Sequence, residues 1–303
     1  MKKQTKTMLI LLCLLLTAAM APAASAHEVY FETPEEIVAG KPVDIKLYWG
    51  HFPAAPDPES AYFNTIPEGK LYVLTPEGGE IPLTLTVADD HYTTSFTPAT
   101  GGDFQVIFNH NRGILDWQHG EPMGMQEIHS LAKIFVPVDG EPDIHAYDHP
   151  ANLDLEVIPT TDIGHFHEGG EFGGVLLYQG QPLPNVKVTV GSSGSPDSHE
   201  DFKELVTDEK GEFKFTADKA GVWMVKVGYF DAGRAGEADG VAFDGVRYSL
   251  VTYFDAHSHE NGAHTQGAQT PRGSGGITTW LLIGSVLLLA GALVFFLRGK
   301  KSA

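Results

Sequence analysis

The sequence predicts an all-β protein: two tandem β-sandwiches between an N-terminal leader and one C-terminal transmembrane helix. Three observations carry this. Short alternating runs rich in β-branched and aromatic residues recur along the chain, and clusters of Gly, Pro and Asp separate them. Outside two membrane signals, no apolar stripe of helical period is sustained.

The leader occupies residues 1–26. Lys2, Lys3 and Lys6 form a basic start, Met8 to Leu16 an apolar run too short to span a bilayer with ease, and Ala24-Ser25-Ala26 a small-x-small cleavage site. Cleavage there makes His27 the first residue of the mature chain. Cys13, the only cysteine, falls inside the leader, so the mature chain is expected to have no disulfide, soft thiolate ligand or Cys nucleophile.

Residues 27–140 read as an N-terminal, Ig-like β-sandwich. Its strand candidates are VDIKLYW (43–49), KLYVL (70–74), LTLTV (83–87), YTTSF (92–96), FQVIF (104–108) and AKIFVPV (132–138). Between the last two, residues 109–130 read as a long inter-strand excursion containing His110, His119 and His129 beside Met123 and Met125. The polar stretch 139–153, with prolines and no periodicity, marks a domain boundary.

A second sandwich, residues 150–256, follows with LDLEVIP (153–159), FGGVLLY (172–178), VKVTV (186–190), EFKFTA (212–217), VWMVKVGYF (222–230) and RYSLVTYF (247–254). Gly180 and Gly211 supply positive φ at tight turns, and Asp208 accepts from turn backbone. Residues 257–276 form a His/Gly-rich tether with nothing apolar to bury. Residues 277–297 are uncharged and apolar, long enough to cross one hydrocarbon core at ~1.5 Å per residue. Arg298, Lys300 and Lys301 then place the tail, 298–303, in the cytoplasm and the body outside it, whether periplasmic or at the cell surface.

Charge follows this topology. Three of the 20 Lys and Arg lie in the leader and three in the tail, so the body holds 14 against 39 Asp and Glu, a net charge of about −25. Such a surface excludes nucleic acid as a partner and gathers cations. No Gly-x-Ser-x-Gly elbow, phosphate loop, His-Glu-x-x-His or nucleotide fingerprint occurs, and the chain does not read as an enzyme.

Metal chemistry is where residue types accumulate. All 14 histidines follow the leader. A terminal His27 offers an α-amine and an imidazole from one residue, a chelate suited to Cu²⁺, Ni²⁺ or Co²⁺ once another His joins it. His165 and His167 flank Phe166, with Glu168 adjacent, and share a face if the segment is extended. His257, His259 and His264 make the tether a compositional metal-capture tract. His51 follows a strand at a Gly turn, and His119 and His129 lie in the excursion near the two thioethers, which are soft enough for Cu(I).

The second-half grammar GQPLPNVKVTV, then TDEKGEFKFTADKAGVWMVKV, resembles a transthyretin-like or carboxypeptidase-regulatory-like sandwich, a module usually structural or binding. Together with AHEVYF, KLYWGHFP and LEVIPTTD, it is similar to a bacterial family of ectodomains of unknown function, identified as periplasmic components of cobalt/nickel transport systems of the ABC or energy-coupling-factor type. The resemblance covers most of residues 27–255 and implies delivery of Ni²⁺ or Co²⁺ to transporter membrane subunits. His27 and His51 match the family's shape. The expectation is a membrane-anchored, extracytoplasmic metal-binding accessory protein. Copper handling through His27, and a metal-independent structural or binding module, are its rivals.

Overall fold

The computed structural model describes residues 27–54, 56–141, 143–194 and 202–258. The leader, most of the tether with His259 and His264, the span 277–297 and the tail lie outside the described residues. Among the described residues no helix is long and apolar enough to cross a membrane.

The chain is all-β. Its first half forms β1 (Glu28–Glu32), β2 (Val43–Gly50), β3 (Lys70–Leu74), β4 (Glu80–Pro82), β5 (Thr86–Val87), β6 (Tyr92–Phe96), β7 (Gly102–Trp117) and β8 (Gly124–Val138). The second half adds β9 (Leu155–Pro159), β10 (Glu171–Tyr178), β11 (Gln181–Pro182), β12 (Lys187–Ser192), β13 (Lys203–Val206) and β14 (Glu212–Thr216). It ends with β15 (Gly221–Asp231), β16 (Gly236–Ala238), β17 (Val241–Phe243) and β18 (Val246–Ala256). A short 3-10 helix, Phe63–Glu68, precedes β3.

Both halves contribute to one eight-stranded sheet, ordered β13-β12-β15-β18-β8-β7-β3-β4. The halves meet where β18 runs parallel to β8, from Val246 opposite Glu127 to Tyr253 opposite Ile134. One face of this sheet packs on the four-stranded sheet β1-β2-β6-β5, and the other on the sheet formed by β9, β10, β11 and β14. Strand alternation divides the side chains between the two cores. On β8, Ala132, Ile134 and Val136 enter the first core and Leu131 and Phe135 the second; on β18, Val251 and Tyr253 oppose Leu250 and Phe254. Burial on both faces is why these central strands read as nearly continuous apolar runs.

A charged pair lies fully inside the described body. Lys133 on β8 is fully buried and donates to Glu156 Oε1 and to the Val157 carbonyl, both at 2.8 Å. Glu156 also accepts from the Ala151 N–H at 2.7 Å, which fixes the segment between the halves onto β9. Desolvation pulls the Lys133 ammonium below its ordinary range, and the carboxylate beside it opposes that.

The stretch 109–130 is not the long excursion its polarity suggests. It is the outer part of the β7–β8 hairpin, paired from Asn109 opposite Leu131 to Trp117 opposite Gly124. Its residues read as loop because this extension projects past the cores, where polar side chains carry no burial penalty. A register shift between Asn111 and Ile114 leaves Arg112 and Gly113 as a bulge, with Gly113 at φ +78°. Of LTLTV, only Thr86–Val87 is strand.

Candidate metal centre

The β1–β2 ladder builds the site. Its antiparallel register runs from Glu32 opposite Lys46 to Glu28 opposite Gly50. One further step places His27 opposite His51, and the two imidazole centroids lie 4.2 Å apart, tilted by 46°. Alternation puts Trp49 on the same face, where its indole stacks on His27 at 5.6 Å and 17°.

After Phe52 the chain turns back along β2: Pro56 bridges to Gly50, and the Asp57 N–H donates to the Trp49 carbonyl at 2.7 Å. That return carries the Asp57 carboxylate to 2.7 Å from His27 Nε2. A carboxylate only accepts, so His27 Nε2–H donates this bond and Nδ1 takes no part in it. Nδ1 is the ring nitrogen that closes a six-membered chelate with the α-amine of the same residue. A carboxylate on one ring nitrogen is the arrangement that orients an imidazole when its other nitrogen ligates a metal.

Glu28 points to the opposite face and anchors this edge. Its buried carboxylate accepts from the Phe52 N–H at 2.8 Å and from Lys226 Nζ on β15. The Tyr253 hydroxyl on β18 donates to the Val29 carbonyl at 3.0 Å. The first strand is thus pinned to the far half of the chain through the two residues that follow His27.

Beneath Trp49 lies a polar and aromatic wall. Tyr62 meets the indole edge-on at 4.2 Å, and its hydroxyl shares a 3.0 Å hydrogen bond with His110 Nδ1. Burial pushes the Tyr62 phenol up to about 12 and, with help from Arg112, holds the His110 imidazole below its ordinary value. The Arg112 guanidinium sits 3.7 Å over the Tyr62 ring and 5.8 Å from Trp49.

The remaining candidates scatter. His129 contacts Glu127 at 3.1 Å and packs beside Tyr248. His119 is exposed at the hairpin tip against Trp117. Met123 is exposed near the same tip, and Met125 pairs with Asp116 on the hairpin's arm. His165 and His167 do not act as a pair: His165 lies exposed in a turn, while His167 bridges in parallel to His257, ring centroids 6.1 Å apart. Among the described residues no three His, Cys, Asp or Glu side chains converge as a complete metal cage.

The model for Domain of unknown function (DUF4198) matches residues 24–231. The chain belongs to this family. The DUF4198 match contains His27, His51, Asp57 and Arg112, but ends before β18. No curated protein matches the chain in sequence. Among solved structures, this DUF4198 chain aligns with trypsin-activated alpha-2-macroglobulin from Escherichia coli at 13% identity, over 76% of this chain and 16% of that one, with a TM-score of 0.21. It spans only that small share of the macroglobulin's length. Two marsupial T cell receptor chains align at 9% and 8% identity, over 75% and 84% of this chain and 74% and 75% of theirs, with TM-scores of 0.19 and 0.20. Likenesses this distant define neither the topology nor the chemistry of the DUF4198 chain.

From the sequence His27 and His51 stand out, whereas Asp57, Trp49 and Arg112 join them only in the fold. Asp57 had a signal in the proline-rich segment after His51, which must turn sharply and so return over the strand it leaves. Arg112 had none, because the bulge that aims it appears only with the register.

Proposed function

We propose that this protein is an extracytoplasmic, membrane-anchored accessory protein that holds Ni²⁺ or Co²⁺ at the edge of β1 and passes it to the membrane subunits of a transporter. The observation that carries the reading is the cross-strand pair His27–His51, with Asp57 on His27 Nε2. Leader cleavage after Ala26 would add the α-amine, giving three nitrogens in borderline-soft chemistry that suits Ni²⁺, Co²⁺ and Cu²⁺. A site with three protein donors stays labile, as a carrier needs, unlike a closed four-ligand structural site. In this reading the strands of each half, with the central sheet between them, act as two sandwiches, Ig-like and transthyretin-like, and the stretch 277–297 anchors them.

Copper is the second reading, favoured by the same donors: an amine and two imidazoles suit the tetragonal plane of Cu²⁺, which outranks Ni²⁺ and Co²⁺ at most nitrogen sites. The thioethers of Met123 and Met125 lie on the hairpin and add no support for Cu(I).

The test is calorimetric titration of Ni²⁺, Co²⁺ and Cu²⁺ into the processed, tag-free chain and into a form with one extra alanine before His27. Affinity that falls at least tenfold with the extra residue supports the terminal chelate. Equal affinity in both forms overturns it and leaves the tether histidines as the collector.

A further inference from the structure

The cavity beside His27 is lined by polar donors and apolar side chains together, and Glu28 also lines it, its carboxylate taken by Lys226 and the Phe52 N–H. Its wall includes His27, Trp49, Arg112, Ser130, Arg247 and Ser249. Two of its N–H groups, Trp49 Nε1 and Arg112 Nε, are buried with no hydrogen-bond acceptor. A buried donor left unpaired is costly, and two around one cavity specify an acceptor between them.

The charges agree. Arg112 is aimed inward by the β7 bulge and rests on Tyr62 and Trp49 rather than on a carboxylate. Arg247 stacks on Trp117 at 4.7 Å and donates to Gln126 Oε1 and the Pro122 carbonyl, at 2.6 and 3.0 Å, again without a carboxylate. In a chain with 39 acidic and 20 basic residues, two arginines share this cavity with no ion pair to a carboxylate among the described residues, the Glu28 carboxylate being taken by Lys226, and that leaves their charge to an incoming anion.

The cavity measures about 40 Å³. That admits a planar carboxylate group, matched to a guanidinium, while the molecule bearing it stays outside next to His27. Free polycarboxylates are repelled by so acidic a surface, whereas the same molecule wrapped around a divalent cation arrives with much of its charge neutralised.

We propose that the cargo is a chelated metal ion: a small polycarboxylate carries the divalent cation, and one of its carboxylates accepts from Arg112 and Trp49 while the metal binds the nitrogens of His27 and His51. This rests on the metal reading of His27 and names the form in which the metal arrives.

Nickel citrate serves as the probe. The processed full-length chain, tag-free, is equilibrated by dialysis with ⁶³Ni-labelled nickel and ¹⁴C-labelled citrate, beside Arg112→Gln and Trp49→Phe variants whose folding is checked by melting. The native chain is expected to retain nickel and citrate in a one-to-one ratio. Either substitution is expected to lower the citrate held per nickel at least tenfold, and Trp49→Phe, which keeps a ring in place, tests the donor alone. A native chain that takes nickel and leaves citrate in solution overturns the chelate while the metal reading stands. A native chain that takes up neither Ni²⁺, Co²⁺ nor Cu²⁺, from chloride or from citrate, overturns both.

Discussion

Glu28 and Lys226, 198 residues apart, form an ion pair that joins the first strand to β15, and the same carboxylate holds the Phe52 N–H. Glu28 is almost wholly buried, with its side chain 1% exposed. Replacing Lys226 by Met leaves that carboxylate desolvated and unpaired, which costs about 3 kcal/mol. Urea unfolding of K226M is expected to show that loss. Nickel affinity should fall with it, because Glu28 also positions the turn that follows His51.

Replacing His51 by Ala is expected to weaken Ni²⁺ binding at least tenfold with little change in the unfolding midpoint, since His51 is only partly buried. Calorimetry paired with thermal melting separates the two effects. His119→Ala, at the exposed hairpin tip, is expected to change neither.

Acid should destabilise the fold through His110. Burial first, and then Arg112, hold its imidazole below the ordinary value of 6.5. The unfolded chain therefore binds a proton that the native chain refuses as pH drops through 6.5, so stability rises with pH across that window and is lost below it. Urea midpoints at pH 7.5 and 5.5 measure the slope. His110→Asn, which keeps a polar partner for the Tyr62 hydroxyl, is expected to flatten it.

Lys133→Met alone is expected to cost about 3–5 kcal/mol, because Glu156 would stay charged and buried without its counter-ion. Adding Glu156→Gln removes that charge and keeps an acceptor for the Ala151 N–H. A double-mutant cycle in denaturant should recover at least half of the loss.

Gly211 stands at φ +75°, and a Cβ there would lie 2.7 Å from the Leu176 carbonyl oxygen. Gly211→Ala is expected to cost about 2 kcal/mol, read from the unfolding midpoint.

Turn chemistry of this kind was legible in the sequence. Gly180 and Gly211 both take positive φ, and Asp208 accepts from the N–H groups of Lys210 and Glu212. Strands such as Val43–Gly50 and Lys70–Leu74 lie where alternation and β-branching put them, because each has one face on a core. What periodicity cannot carry is pairing between distant strands. Nothing local announces that β18 docks parallel on β8, so the shared central sheet was invisible. Within the site, His27 and His51 stood out by residue type and by resemblance to the family. Asp57 and Arg112 depend on a return turn and a bulge, which exist only once the ladders have formed.

The pinning of β1 also sets an order of events. Val29 is among the first residues of the body to be synthesised, yet the hydroxyl that holds its carbonyl belongs to Tyr253, 224 residues later, near the end of the last strand. Contacts of such sequence separation form late, after the intervening chain has been ordered. A growing chain would carry His27 long before these contacts could hold β1, and a product truncated before β15 would lack both Lys226 and Tyr253. A fully anchored β1 is thus a certificate that the body has been made through β18.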